Sequence, residues 1–249
     1  MLKNKLLVAA LATAFAMPAA AESTVSSNVG FVSDYIYRGI TQTSHNPAVQ
    51  GGMDFTHDSG LYVGAWGSNV SWIADSGAVA SGSVTMELDT YLGYRSTISD
   101  VGYDVGFVRY NYLGDYTATD GFAKADTQEI YGSVSYKFLS AKYSYSLGDF
   151  LTVVDGKGSS YLELNASYAI EGTGVTLTAH AGKQTFKPSA ADTLYSYTDY
   201  KLGVSKDLSG YVVGVAYTST NAGPAWTYAD TVGGEWGKGV VAVSVTHAM

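Results

Sequence analysis

Apolar and polar residues alternate with a period of two through twelve stretches of this chain. Such alternation marks strands with one wet and one dry face. Most stretches run for roughly 8 to 12 residues, the length a tilted strand needs to cross a bilayer, whereas strands of soluble domains are more often about 5 or 6. In the first, Val25, Val29, Phe31, Tyr35 and Tyr37 share a face opposite Ser26, Asn28, Gly30, Asp34 and Arg38. Val49, Met53 and Phe55 then oppose Gln50, Gly52, Asp54 and Thr56, and Leu61, Val63 and Ala65 oppose Tyr62, Gly64 and Trp66. Met86, Leu88, Leu92 and Tyr94 oppose Glu87, Asp89, Gly93 and Arg95. The fifth stretch begins Tyr103, Val105, Phe107 and shifts to Val108, Tyr110, Tyr112, which predicts a bulge. Seven later stretches keep the scheme, from Ile130 and Val134 against Glu129 and Tyr131 to Val241, Val243 and Val245 against Ala242, Ser244 and Thr246.

The connections alternate as strictly as the residues. Short turns are expected at 57–60, 96–100, 139–140, 171–174 and 206–210, and long links at 40–47, 69–83, 113–126, 148–159, 184–196 and 219–238. Outer-membrane barrels have short periplasmic turns and longer outer loops, and an even strand count returns both termini to one side. A β-sandwich or jelly roll is the competing all-β architecture, but it has no reason to gather every long link at one end. Composition points the same way. Charged residues make up 14% of the chain, against roughly 25% in an ordinary soluble domain. Tyrosine (21) and glycine (29) are abundant, proline (4) is scarce, and no stretch after the N-terminal segment is apolar enough to span a bilayer as a helix. The expected fold is therefore an all-β, transmembrane, antiparallel up-and-down barrel of about twelve strands. Tyr35, Tyr37, Tyr94, Tyr112, Tyr136, Tyr168, Tyr200 and Tyr217 fall near strand ends, where headgroup-level girdles belong.

The N-terminus sets the compartment. Lys3 and Lys5 precede an apolar run from Leu6 to Met17, then Pro18 and Ala19-Ala20-Ala21, the pattern of a secretory signal peptide. Residues 1–21 are expected to be cleaved, leaving 22–249 as the barrel in the outer membrane of a Gram-negative cell. Periplasmic chaperones and the barrel-assembly machinery are the partners implied during biogenesis, with outer-membrane lipid afterwards. There is no cysteine, so no disulfide or thiolate site. Without Lys3 and Lys5 the chain keeps 12 basic against 22 acidic side chains, a balance that repels nucleic acid.

Within 28–70, one segment resembles a known family. It contains Ser33-Asp34-Tyr35 with Arg38-Gly39, Thr41-Gln42-Thr43, Pro47-Ala48-Val49-Gln50-Gly51-Gly52, His57-Asp58-Ser59-Gly60, Tyr62-Val63-Gly64 and Trp66-Gly67-Ser68-Asn69. These are similar to the TorF-type porins, an exported proteobacterial family also known by its Gcw_chp domain. The resemblance implies an outer-membrane barrel and, by its name, a pore of unassigned substrate. Many such barrels end on an aromatic residue, whereas this chain ends His247-Ala248-Met249.

A closed wall satisfies its own backbone groups, so chemistry must come from lumen and loops. Charges at bilayer depth cost a few kcal/mol on the lipid face, so the polar face points inward. That makes Asp34, Arg38, Asp54, Glu87, Asp89, Arg95, Glu129, Lys142, Glu163, His180, Asp199 and Lys201 the expected lumen lining, with Asp104, Lys137 and Arg109 beside them. They either pair to stiffen the interior or line a wet passage with a weak cation preference, since acids outnumber bases. Asp34, Arg38 and Asp54 are candidates for an ion pair across the first hairpin. Asp115, Asp120, Asp126 and Asp155 in the long links match no calcium-loop spacing. His45, His57, His180 and His247 show no metal-ligand spacing, and only His180 looks lumenal. No serine or carboxylate partner for it can be read from the sequence, so neither catalysis nor a cofactor is expected. The favoured function is a porin-like channel for passive diffusion of small hydrophilic solutes. The alternative is a plugged barrel acting as a structural or surface-interaction protein through its outer loops.

Overall fold

The computed structural model describes residues 23–187, 189–223, 226 and 235–249. The expected signal peptide and its cleavage point lie outside the described residues. Twelve antiparallel strands close into one barrel in the order β1 (Thr24–Val32), β16 (Val240–Ala248), β15 (Tyr211–Thr220), β14 (Tyr197–Leu208), β13 (Val175–Thr185), β12 (Ser160–Ile170), β11 (Leu139–Ser146), β10 (Thr127–Tyr136), β8 (Val101–Leu113), β7 (Met86–Ile98), β5 (Leu61–Asn69) and β4 (Ala48–Thr56). Closure comes from β1 against β16, with Phe31 opposite Val245 and Asn28 opposite Ala248. The last strand therefore reaches Ala248 without a terminal aromatic residue.

The long links carry four short strands, β2 (Ile36–Tyr37), β3 (Ile40–Thr41), β6 (Val79–Gly82) and β9 (Tyr116–Ala118), and two short helices, α1 (Trp72–Asp75) and α2 (Ser189–Tyr195). The short turns at 57–60 and 171–174 fall as expected, those expected at 96–100 and 206–210 are tighter, and the one expected at 139–140 lies two residues earlier. Ile98 pairs with Val101, Tyr136 with Leu139 and Leu208 with Tyr211, leaving two-residue turns with Ser99, Lys137 and Ser209 at positive φ, the hairpin geometry whose twist matches the strands. Lys137 thus sits exposed in a turn and not in the lumen.

The outside of the wall is apolar. Val25, Val63, Leu92, Val134, Leu164, Leu202 and Val241 are all exposed there, as a lipid-facing surface requires. The belt ends toward the long links at Asn69, Arg109, Gln128 and Lys183, and toward the short turns at ring pairs such as the stacked Tyr211–His247 and the edge-to-face Phe138–Tyr168. Leu202 stands near the middle of β14. We expect Leu202→Arg to destabilise the barrel by about 2–4 kcal/mol when unfolded by urea from a bilayer. Unchanged stability there would mean that this face does not meet hydrocarbon.

Two expectations for the faces fail. There is no bulge in β8, because its register against β7 and β10 is unbroken from Val101 to Leu113 and from Val101 to Tyr110. Val108, Tyr110 and Tyr112 are buried inward, and Arg109 faces outward, paired with Asp126 at 3.1 Å. Nor does β1 extend to Arg38. It stops at Val32, so Tyr35 and Tyr37 join Tyr112 inside and leave the girdle.

Tyrosine and glycine are abundant for a shared reason. Tyr62 pairs with Gly93, Tyr91 with Gly64 and Tyr131 with Gly106. A Cβ on any of these glycines would strike the partner ring. The bare backbone lets each inward ring lie flat on the wall, leaving its other face to the lumen.

Candidate functional site: the lumen and its strap

Between β1 and β4 the chain turns into the barrel. Val32 and Ala48 are cross-strand partners, so the strap 33–47 enters and leaves at one point of the wall. Its own side chains knit it together. Asp34 accepts from Thr41 Oγ1 at 2.5 Å and lies 2.7 Å from His45 Nδ1, while Thr43 Oγ1 accepts from the Tyr35 N–H at 3.2 Å. His45 therefore has a partner that its sequence context did not indicate. At the tip, Gly39 has φ +80°, and a Cβ there would collide with Asp199 and Thr220; only glycine fits.

Beside Gly39, Arg38 spans the lumen. Its guanidinium donates to both Glu129 oxygens, Nη1 at 3.0 Å and Nη2 at 2.7 Å, and Nη1 also donates to Gln184 Oε1 at 2.9 Å. β10, which holds Glu129, lies five strand steps from β1 one way round and seven the other, so the fork reaches the opposite wall. The planar charge also stacks 4.4 Å from the Tyr161 ring and 4.8 Å from Tyr37. Bidentate geometry and aromatic faces are what make arginine suited to a buried ion pair. The expected pairing across the first hairpin is thereby corrected. Arg38 bonds neither Asp34 nor Asp54, because it sits on the strap and not on β1.

The other long links pack onto the strap. Trp72, Ile73, Phe150, Phe186, Trp226 and Trp236 are buried there beside Tyr197. Phe186 and Trp226 stand 5.9 Å apart between ring centroids, and Tyr197 and Trp226 5.4 Å. A cavity of about 20 Å3 remains between Tyr37, Arg38, Trp72 and the Trp226 and Trp236 rings, room for about one water. Burial pushes the Tyr37 phenol well above its ordinary value, so it stays neutral. Two carboxylates close off this end of β7. Asp89, with no exposed surface, has no hydrogen-bond partner for either oxygen, and Glu87 Oε2 has none.

Toward the short turns the lining is more open. Arg95 pairs across the strands with Asp104, Asp104 with Ser133, Ser133 with Lys142 and Lys142 with Glu163, a row that alternates in charge as it winds round the wall. Tyr62 donates to Asp104 at 2.7 Å and Tyr91 to Asp54 at 2.7 Å, and the hydroxyls of Tyr62 and Tyr131 meet. Arg95 lies over the Tyr62 ring at 4.9 Å and Lys142 over Tyr131 at 4.2 Å. One row away, His180 contacts Asn165 at 2.6 Å, Asp199 at 2.9 Å and Tyr161 at 2.9 Å, with Glu163 at 3.7 Å. None of these partners is a serine or threonine, and the Tyr161 hydroxyl that meets His180 Nε2 also donates to Asp199 at 2.8 Å, so the constellation ties β12, β13 and β14 together.

Of the residues expected in the lumen, Asp34 and Arg38 belong to the strap. Asp54, Glu87, Asp89, Arg95, Glu129, Lys142, Glu163, His180, Asp199 and Lys201 lie on the wall face opposite the exposed apolar side chains. The sequence reading missed Gln184, Tyr161 and the aromatic packing of the links. The concentration of tryptophan and phenylalanine in the long links was the available signal.

A family profile described as "Bacterial protein of unknown function (Gcw_chp)" matches residues 16–248. The chain belongs to the Gcw_chp family. A search of curated proteins gives no match. Among solved structures, this Gcw_chp chain is similar to one described as "KdgM porin", with a TM-score of 0.52 at 8% identity over 90% of this chain and 97% of that one. A second, titled "Unveiling the Mechanism Behind the in-meso Crystallization of Membrane Proteins", gives 0.50 at 8% identity over 90% and 83%. The "COG4313 outer membrane channel from Pseudomonas putida F1" gives 0.49 at 12% identity over 94% and 96%. At such identities the likeness concerns the fold alone, a closed β-barrel.

Proposed function

We propose that this Gcw_chp chain is an outer-membrane channel for small hydrophilic solutes, constricted by the strap 33–47. The observation that carries the reading is the sorting of the wall, apolar side chains outside and charged ones inside a closed cylinder. The likeness of the barrel to a structure described as a porin supports it, as does the porin name attached to the TorF-type resemblance. In this reading residues 1–21 direct export, the apolar belt sits in lipid, and solutes pass along the inner face from Asp54 and Arg95 toward the strap. Catalysis forms no part of it, since His180 is committed to Asn165, Asp199 and Tyr161. The strap makes the channel narrow and intermittent.

The reading is tested on the purified full-length mature protein in two steps. Unheated and boiled samples should migrate differently on a gel, as an intact barrel resists unfolding in detergent. Planar bilayers should then register discrete conductance steps. A protein that stays monomeric and soluble without detergent, or bilayers that remain silent both with the strap and after its excision, would overturn the proposal. Silence would leave a structural or surface-binding barrel as the better account.

A further inference from the structure

The chain carries more acids than bases, and the expected cation preference followed from that count. Burial sorts the lumenal charges differently. Asp34, Glu87, Asp89, Glu129, Glu163 and Asp199 are each 7% exposed or less. They are covered by the strap or locked into contacts with Arg38, His45 and His180, or, for Glu87 and Asp89, packed away from water. Water in the open part of the lumen therefore meets mainly other groups.

Those groups are Arg95, Lys142 and Lys201 against Asp54 and Asp104, with the half-buried Asp207 at the turn end of β14, where it accepts from the Gly210 N–H at 2.8 Å. Lys201 is exposed and Arg95, Lys142, Asp54 and Asp104 are half-buried. The two carboxylates lie back against the wall, each accepting from a tyrosine hydroxyl, Tyr91 for Asp54 and Tyr62 for Asp104. The three cations have long stems and no contact within 4.0 Å of a described carboxylate, although Lys142 stands opposite Glu163 and Arg95 opposite Asp104. Arg95 and Lys142 are propped on the Tyr62 and Tyr131 rings. Because the other face of each ring is pressed on Gly93 or Gly106, the cation occupies the side toward the lumen.

We infer that the open half of the lumen is an anion-selective passage, with Arg95, Lys142 and Lys201 as the residues that meet small anionic solutes. This deepens the channel reading and rests on it. Fixed cations lower the local potential barrier for anions and raise it for cations in a low-dielectric tube. A planar guanidinium and two ammonium groups along one path suit a carboxylate that exchanges partners as it advances.

The test is the reversal potential of the full-length mature protein in a planar bilayer under a potassium chloride gradient, repeated with the strap excised. Chloride should permeate several-fold better than potassium. Lys142→Gln combined with Lys201→Gln should bring the ratio down several-fold, and Asp104→Asn should move it the other way, with barrel folding confirmed by heat-dependent gel mobility. Lys201→Gln alone, at an exposed side chain, provides a smaller shift in the same direction should the double variant fail to fold. A conducting protein that prefers potassium, or whose ratio ignores the lysines, overturns the inference while leaving the channel intact. Silence in both forms fails the channel reading and this inference with it.

Discussion

Replacing residues 34–46 by two glycines should raise single-channel conductance several-fold and turn intermittent openings into steady ones. The barrel should survive the excision. Val32 and Ala48 already stand opposite each other as cross-strand partners, so a tight hairpin can close the gap without moving either strand. What is lost is the strap's share of the mouth: the Tyr35 and Ile40 side chains, the Arg38 fork and the floor on which Trp72 and Trp236 rest. The measurement is conductance in planar bilayers, with heat-dependent gel mobility as the control for folding. If conductance is unchanged in the folded variant, the strap does not limit passage and the aromatic links alone close the barrel.

The second expected result concerns the fork itself. Glu129 is fully buried and the Arg38 side chain is only 7% exposed, so removing either partner strands the other charge. Breaking such a buried pair typically costs about 3–5 kcal/mol, far more than the pair contributes when intact. Here the molecule has an escape that a rigid core lacks, because the strap can withdraw and carry Arg38 to water. Glu129→Ala should therefore open the strap while the wall stays folded. Protease cutting within 33–47 should accelerate and conductance should rise. Arg38→Ala should do the same by letting water reach Glu129. The double change Arg38→Gln with Glu129→Gln should restore much of the protection, since no charge is then left alone. Additive effects, with the double variant cut faster than either single one, would show that the two side chains are not coupled.

Much of the wall was legible because lipid imposes a rule with few exceptions. Wherever hydrocarbon lies on one side, alternation along the strand reports the face directly, and Val49, Leu92, Val134, Leu164 and Leu202 all point as their neighbours implied. The same rule misled where no lipid is present. Tyr35 and Tyr37 continue the alternation of Val29 and Phe31, but the small β2–β3 hairpin also alternates, with its apolar side on the aromatic packing. In β8 the change from Phe107 to Val108 and Tyr110 imitates a bulge. It arises because the strand leaves the apolar belt, so that its outer face turns polar at Arg109 and Asn111 while its inner face meets the buried strap. Contacts such as Arg38 with Glu129 bring together groups whose association no local pattern encodes.

The reach of that fork also dictates when it forms. Arg38 binds partners 91 and 146 positions further along the chain, and Thr41 hydrogen-bonds Trp236, close to the C-terminus. Contacts of such sequence separation are slow to form, because loop closure must precede any gain. Closure of the wall is longer-range still, since Phe31 pairs with Val245, so the local hairpins come first on the folding pathway and strap docking and barrel closure are both late steps.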